Sequence, residues 1–296
     1  MSQNIISEHE RRISKILEWL WDAVAEPVLL ALRYRERPSD NSVWPRVWWC
    51  PTGLMSFLPI HASGYHQSSE HPQRTVLDRV VSSYTSTITI LKYSRERTNG
   101  NPEIQKVLIG ATPTTRNEQY NYEPYAIRKI IRTRHKDTKV LIIPEITIEK
   151  AREYLPDANI AHFVCHAVLN EQDPSSSALQ LQNGRLTVAE ISRMKLGEGA
   201  LAFLSACNTA FSSSQSLADE NISLVSAFQI AGYARVVGTL WNANDGVALE
   251  IAKSFYQSLS NDPSEAARAL HNAILEQRRC RPLEPSQWAH YIFVGP

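Results

Sequence analysis

LAFLSACNTA, residues 201–210, begins as an apolar run and closes on small and polar residues around a cysteine. A short continuous apolar run of this kind is typical of a strand buried on both faces of a parallel sheet. Cys207 comes where such a strand ends. The cysteine is either one more small core residue or a thiol presented at the edge of the sheet.

A second apolar run ends on a histidine. NIAHFVCHA, residues 159–167, predicts a buried strand that finishes at His166. Between the two runs, ALQLQNGRLTV, residues 178–188, contains an Asn-Gly pair, which is the strongest short signal for a β-hairpin. If the two apolar strands are neighbours in one sheet, His166 and Cys207 leave it at the same edge.

From residue 106 onward, apolar runs alternate with amphipathic segments. This alternation predicts an α/β fold with a mostly parallel sheet, helices on both of its faces, and functional groups at the carboxyl ends of the strands. Further strands are expected at 106–113, 139–144, 234–241 and 289–295, and helices at 125–136, 147–155, 187–194, 221–232, 246–260 and 263–280.

The first hundred residues are less regular. Apolar residues at steps of three and four predict an amphipathic helix over about 7–33, interrupted or kinked at Pro27. This helix packs either on its own core or on a neighbouring domain. VWPRVWWCPTG, residues 43–53, predicts a strand followed by a turn, and residues 80–91 fit either a strand or the start of a helix.

We therefore divide the chain into three parts. Residues 1–38 form an N-terminal helical segment, residues 39–105 form a smaller and less regular N-terminal half, and residues 106–296 form the catalytic α/β domain.

Composition narrows the class of protein. The chain has 296 residues, 43% of them hydrophobic and 21% charged, as in soluble globular proteins. Its formal net charge of +1 gives no reason to expect nucleic acid or a membrane as a partner. Without a secretory signal or a long apolar run, the chain is expected in the cytoplasm. Its four scattered cysteines suit single reduced thiols.

The pairing of His166 with Cys207 suits nucleophilic catalysis. A thiol with a pKa of about 8.5 is mostly protonated at neutral pH, and a nearby imidazole can take its proton. Either residue alone is more often structural. Together they match the order found in one clan of cysteine proteases, in which a histidine precedes the cysteine by about 50 residues.

Several motifs together resemble the CHAT family of caspase-like proteases. They are AHFVCHA, followed by Asp173 and Pro174, then SACNTA, SAFQIAGYARVVGTLW and WAHYIFVGP, with VWWCPTGLMSFLPIHASG near the front. The resemblance covers most of residues 40–296. It implies a caspase-like fold, with caspases and separase as distant relatives.

The resemblance also implies roles for individual residues. Cys207 would be the nucleophile, and His166 would be its general base or its imidazolium partner. The backbone N–H groups of Cys207 and Ala167 would form the oxyanion hole. Most relatives have glycine where this chain has Ala167. An alanine fits there if the backbone angle is ordinary, but a positive φ would cost about 1 kcal/mol or more.

Acidic residues near the site suggest a substrate preference. Asp245 matches an acidic position of the related separase motif, near the pocket for the side chain before the scissile bond, and would favour a basic side chain. Alternatively, Asp245 only caps the helix that follows. Asp219 and Glu220 belong either to the pocket rim or to a solvated loop, and we favour the loop.

Other signals are weak. His61, His66 and His71 lie too far apart in a polar loop to indicate zinc, so neither a metal nor a cofactor is expected. RKIIRTRHKDTK, residues 128–139, predicts a helix whose basic face is solvated or meets an acidic partner. The three other cysteines are expected in the core; they are Cys50, Cys165 and Cys280.

These observations lead to a functional hypothesis. We expect a cysteine endopeptidase that cleaves specific protein substrates under the control of a regulatory sensor or repeat domain, in cis or in trans. The resemblance further implies a defence or cell-death pathway. Two alternatives stay open: a catalytically inactive pseudo-protease acting as an interaction module, and a different acyl-transferring thiol enzyme.

Overall fold

A computed structural model of the chain describes residues 7–39, 42–67, 74–97, 104–112, 118–170, 172–196, 199–205, 223–242 and 244–296. Within these residues the α-helices are α1 Glu8–Leu20, α2 Glu26–Ala31, α3 Ile88–Arg97, α4 Glu118–Arg134, α5 Ile148–Tyr154, α6 Val188–Arg193, α7 Leu224–Ala231, α8 Asp245–Ser258 and α9 Ala266–Cys280. In this part of the chain, no helix combines the length and the apolar character needed to cross a membrane.

The strands form one large and one small sheet. They are β1 Arg46–Trp49, β2 Val81–Tyr84, β3 Lys106–Ala111, β4 Lys139–Ile143, β5 Ile160–Val164, β6 His166–Val168, β7 Ala178–Leu181, β8 Gly184–Thr187, β9 Leu201–Ser205, β10 Arg235–Thr239 and β11 Tyr291–Val294. The large sheet has eight strands in the order β1-β2-β11-β10-β9-β5-β3-β4, and β6-β7-β8 form a separate antiparallel sheet.

The large sheet is mostly parallel, as the sequence predicts. Strands β10, β9, β5, β3 and β4 pair in parallel. Strand β11 runs antiparallel to β10 and parallel to β2, which is parallel to β1. The carboxyl ends of β3, β4, β5, β9 and β10 therefore lie at one edge of the sheet.

Helices cover both faces of the large sheet. In β9, Ala202 and Leu204 belong to the core cluster that includes Phe228 of α7. Leu201 and Phe203 belong to the second cluster, which includes Phe255 of α8. Because successive side chains of a strand point to opposite faces, the continuous apolar run fills two core layers at once.

The N-terminal helix is interrupted next to Pro27. A π-helical segment, Trp21–Ala25, separates α1 from α2, and Pro27 lies in the first turn of α2. A proline inside a helix lacks the N–H donor and clashes with the preceding turn, so the wider π-turn relieves this position. Leu17 and Trp21 are buried in the cores of this chain, so the helix packs on its own domain.

Residues 39–105 add strands to the same large sheet. Strand β2 pairs with β11 through Tyr84 and Val294, and β1 forms the edge of the sheet. The ambiguous segment 80–91 contains both predicted elements, because β2 ends at Tyr84 and α3 begins at Ile88. The division into domains at residues 38 and 105 stays a prediction.

Two of the cysteine predictions were wrong. Cys165 is buried, as expected, but Cys50 and Cys280 are exposed. Cys50 directly follows β1 and Cys280 is the last residue of α9. Both lie at the ends of elements, where the chain leaves the packed layers, and their local sequence gives no sign of this exposure.

Candidate functional site

The two strands that precede the candidate catalytic residues are direct neighbours. Strands β5 and β9 pair in parallel over their whole length, and the last pair is Val164 with Ser205. His166 follows Val164 by two residues, and Cys207 follows Ser205 by two. The carboxyl ends of the two strands therefore lie side by side, as the sequence analysis required.

His166 lies at the start of β6, outside the large sheet. The sequence predicts one strand over 159–167, whereas the structure divides this run into β5 and β6 around Cys165. Cys165 is fully buried, and His166 is exposed and pairs with Gln180 of β7. The buried thiol side chain thus anchors the point where the chain turns out of the sheet and brings the imidazole to the surface.

The backbone N–H of Ala167 points away from the small sheet. The turn at 182–183 closes the β7–β8 hairpin, and Val188 N–H donates to the carbonyl of Ser177 at 2.8 Å. Hydrogen-bonded and non-hydrogen-bonded residue pairs alternate along antiparallel strands. Ser177 and Val188 are a hydrogen-bonded pair, so Leu179, two residues further on, also directs its N–H and C=O towards β8. Leu179 is the partner of Ala167, so the N–H and C=O of Ala167 point away from β7.

The backbone of Ala167 does not require glycine. Among the residues that the structure describes, Arg33 is the only one other than glycine with a positive φ. Ala167 is half-buried, and its methyl group packs against the core cluster that includes Phe228. The departure from the glycine of most relatives therefore introduces no left-handed strain at this position.

Part of the predicted site lies outside the described residues. Cys207, Asp219 and Glu220 all fall in the range 206–222, so the structure gives neither the distance from His166 to Cys207 nor the place of the two acids. The described part of the site consists of His166, Ala167 and the ends of β5, β9 and β10.

Asp245 is the first residue of α8, close to the carboxyl end of β10. The helix cap is Asn244, whose side-chain oxygen accepts a hydrogen bond from the N–H of Gly246 at 3.0 Å. The alternative in which Asp245 serves only as the cap is therefore wrong. Asp245 is half-buried, and its charge in the first turn matches the positive end of the helix dipole.

A buried polar cluster beneath the site was missed by the sequence analysis. The Nε2 atom of His162 lies 3.0 Å from Glu123 Oε1, and its Nδ1 atom lies 3.1 Å from the hydroxyl of Tyr256. His162 is fully buried in β5, while Glu123 belongs to α4 and Tyr256 to α8. Burial raises the pKa of Tyr256 well above its usual value, so this hydroxyl stays protonated. The polar character of His162 within an apolar run was the available signal.

Two of the three histidines considered for zinc lie in the described part of the chain, and both make local contacts. No group of three or more His, Cys, Asp or Glu side chains is arranged there to hold an ion. His61 donates to or accepts from the hydroxyl of Tyr84 at 2.9 Å, and His66 bonds the carbonyl of Ala62 at 2.7 Å. These two rings serve packing and local hydrogen bonding.

A comparison with protein families matches the CHAT domain over residues 14–296. No curated protein matches the chain in a sequence search. Among solved structures, the Saccharomyces cerevisiae separase–securin complex aligns with a TM-score of 0.56 at 13% identity, covering 86% of this chain and 15% of that chain. This chain therefore spans only a small part of separase.

Two gingipain structures align over more of their length. The Arg specific cysteine proteinase gingipain R gives a TM-score of 0.60 at 11% identity, covering 97% of this chain and 74% of that chain. The complex of Porphyromonas gingivalis RgpB pro- and mature domains gives 0.54 at 10% identity, with coverages of 98% and 76%. At such identities the likeness concerns the fold, and it confirms the caspase-like architecture.

Proposed function

The chain belongs to the CHAT domain family, and from this premise we propose that it is a cysteine endopeptidase with Cys207 as nucleophile and His166 as general base. The observation that supports this best is the pairing of Val164 with Ser205 at the ends of β5 and β9. Each catalytic residue follows its strand by two residues, which span at most about 7 Å of chain. Adjacent strands are about 4.8 Å apart, so the two side chains start from neighbouring points.

The reaction would proceed by acyl transfer. The imidazole of His166 takes the proton of the Cys207 thiol, and the thiolate attacks the carbonyl carbon of the peptide bond. When the C–N bond breaks, the imidazolium gives its proton to the leaving amine, and a thioester remains on Cys207. A water molecule then gives a proton to His166 and attacks the thioester carbon. The C–S bond breaks, the imidazolium returns its proton to the sulfur of Cys207, and the carboxylic acid product leaves.

Backbone N–H groups would stabilise the tetrahedral intermediate. The N–H of Ala167 is directed away from β7 and takes no part in the pairing of the small sheet, so it is suited to bind the negatively charged oxygen. The N–H of Cys207 would be the second donor. The ordinary φ of Ala167 supports an active oxyanion hole despite the absence of glycine.

Asp245 is our candidate for the residue that selects the substrate. It lies beyond β10, which neighbours β9 on the side opposite to β5. A carboxylate there would attract a lysine or arginine side chain before the cleaved bond. Gingipain R, which shares the fold, is described as Arg specific.

The wider role rests on the family resemblance. We propose that the chain cleaves one or few proteins in the cytoplasm, and that a sensor or repeat domain, in cis or in trans, controls it. The proposal includes a part in defence or cell death. Loop ordering often precedes activity in proteases of this fold, so a control domain would act by completing the site.

Covalent labelling by a peptide electrophile tests the proposed dyad. Because Cys50 and Cys280 are exposed and would react on their own, the starting protein should carry Cys50→Ala and Cys280→Ala. A lysyl chloromethyl ketone peptide is expected to label this protein once, at Cys207, as judged by intact mass. Labelling should vanish in Cys207→Ala and slow by at least about a hundredfold in His166→Ala.

The outcomes separate the alternatives. Labelling together with cleavage of a protein supports the endopeptidase. Labelling with turnover only of small thioesters or amides would favour another acyl-transferring enzyme. A folded protein that is never labelled, with or without its control domain, would favour the inactive interaction module.

A further inference from the structure

An apolar groove of about 580 Å³ opens between α1 and the chain after β10. We call it the α1 groove. Ile13, Ile16 and Leu17 of α1 form one wall, residues 57–59 form a second, and Trp241 forms the third. Two polar residues complete the lining, His9 and Asn242. Of the described residues that line the groove, none carries a fixed charge, and Ile16 is 43% exposed. Its chemistry therefore suits an apolar side chain.

The walls of the α1 groove are held together by Ser286. The N–H of Ser286 donates to the buried carboxylate of Glu10 in α1 at 3.1 Å, and its hydroxyl donates to the same carboxylate. The carbonyl of Ser286 accepts a hydrogen bond from Trp241 Nε1 at 2.9 Å. One residue thus fixes α1 and the indole relative to each other, so the groove is formed before any ligand binds.

The position of the α1 groove relates it to the candidate catalytic site. Trp241 follows the end of β10 by two residues, and β10 lies next to β9. One strand spacing of about 4.8 Å therefore separates the end of β10 from the end of β9, after which Cys207 follows. His166 is on the opposite side of β9, next to β5. The α1 groove therefore lies beside the end of β9 on the β10 side, opposite to β5 and His166.

We propose that the α1 groove binds an apolar side chain of the polypeptide substrate, such as leucine or phenylalanine, near the bond that is cleaved. This inference rests on the proposed endopeptidase function and extends it to a second determinant of specificity, separate from Asp245. A cleft of this size that is preformed, apolar and close to reacting groups is the usual form of a ligand subsite. The substrate would combine a basic residue for Asp245 with an apolar residue for the groove.

Binding is tested first without catalysis. Methyl NMR of Ile13 and Leu17 in the Cys207→Ala protein reports on the groove directly. Peptides in which a lysine is preceded by leucine or phenylalanine should shift these methyl signals, whereas matched peptides with serine should not. Absence of any shift at millimolar peptide would overturn the proposal. Shifts that depend only on protein concentration would also overturn it, because they would indicate that a second copy of the chain occupies the groove.

Two surface variants provide a matched comparison. Ile16→Asp places a charge in the groove, and Leu30→Asp makes the same change at a position that is also 43% exposed but does not line the groove. In peptidyl lysyl chloromethyl ketones, leucine or phenylalanine near the lysine should accelerate labelling of Cys207 by about tenfold or more over serine. Ile16→Asp should abolish this preference, and Leu30→Asp should keep it.

The two proposals fail in different ways. If labelling is rapid but equal for apolar and serine probes, the endopeptidase survives and the α1 groove is not a substrate subsite. If Cys207 is never labelled, the proposed function fails, and NMR shifts would then describe the groove as a peptide-binding site of an inactive protein, which overturns its role next to a cleaved bond.

Discussion

The ring of His162 stacks on the ring of Phe203, with centroids 4.9 Å apart and planes inclined by 14°. His162 lies in β5 and Phe203 is its direct partner in β9. The imidazole also bonds Glu123 of α4 and Tyr256 of α8. The two strands that lead to the candidate dyad are thus joined by ring stacking and tied to two helices on one face of the sheet.

Removing the buried carboxylate should destabilise this arrangement. Glu123 is 3% exposed and His162 is fully buried, so Glu123→Ala leaves an imidazole nitrogen without a partner. We expect the free energy of unfolding to fall by about 3 kcal/mol, the usual cost of breaking a buried pair. Urea unfolding followed by circular dichroism measures it.

Two variants serve as controls for the buried carboxylate. Glu123→Gln keeps a hydrogen-bond partner for His162 and should cost less than Glu123→Ala. Glu153→Ala changes an exposed carboxylate of α5 and should stay within about 0.5 kcal/mol of the unchanged protein. Equal stability of the Glu123→Ala and Glu153→Ala proteins would show that the buried cluster does not join the strands.

The oxyanion hole can be tested at Ala167. Its N–H points away from β7, so Ala167→Pro removes this donor without breaking the pairing of β6 with β7. We expect the rate of peptide cleavage to fall by about a hundredfold to a thousandfold, the usual effect of losing one oxyanion donor. Steady-state kinetics on a peptide substrate measures the loss, and thermal unfolding checks that the fold persists.

Ala167→Gly is the matched control for this position. Because the φ of Ala167 is not positive, glycine relieves no strain, and the cleavage rate should stay within about twofold of the unchanged protein. A large gain of activity with glycine would contradict the backbone geometry described above. Full activity of the Ala167→Pro protein would exclude its N–H as a donor.

The sequence predicted the elements of the site better than their connection. The apolar runs before His166 and Cys207 indicated buried parallel strands. The helix expected over 187–194 corresponds to α6, which begins with a capping box between Thr187 and Glu190. The same apolar continuity hid the change of sheet at Cys165, because a buried residue at a bend has the same composition as one inside a strand.

Burial of polar residues was equally hidden. The stretch around His66 has the polar composition of an exposed loop, yet its ring packs edge-on against Trp288 at 4.8 Å. The approach of Trp288 depends on β11, which lies more than two hundred residues further along the chain. Local composition contains no information on such distant contacts, and for the same reason it did not reveal the α1 groove.

Asp245 should determine the preference for a basic residue. In Asp245→Asn the cleavage of peptides with lysine or arginine before the scissile bond should fall by about tenfold or more, because a partly screened ion pair is lost. Cleavage of neutral analogues should change little. Competition between the two peptides in one reaction gives the ratio of their kcat/KM values directly.

The neighbouring cap residue provides the control for Asp245. Asn244→Ala removes the cap of α8 and should lower the free energy of unfolding by about 1 kcal/mol, while it leaves the charge of Asp245 in place. Its preference for basic peptides should therefore equal that of the unchanged protein. If both variants lose the preference alike, the position of α8 and not the carboxylate sets the specificity.

Four histidines whose pKa values lie below the usual range should make the protein sensitive to acid. Burial, the main cause in each case, lowers the pKa of His61, His271 and His290 to about 3 and that of His66 to about 4. In the unfolded chain these rings titrate near pH 6.5, so the unfolded state binds more protons as the pH falls. The stability they contribute is complete above pH 6.5 and is lost progressively below it.

The expected change of the free energy of unfolding with pH is large enough to measure. Between about pH 6 and pH 4, each buried neutral histidine lowers the free energy of unfolding by up to about 1.4 kcal/mol per pH unit. His271 packs edge-on against Trp44 at 5.2 Å, and His271→Phe keeps an aromatic ring there while it removes one titrating group. Urea unfolding at a series of pH values gives the slope of the free energy of unfolding against pH. In this variant the slope should correspond to the uptake of about one proton fewer on unfolding. An unchanged slope would mean that His271 is already protonated, or equally solvated, in the folded protein.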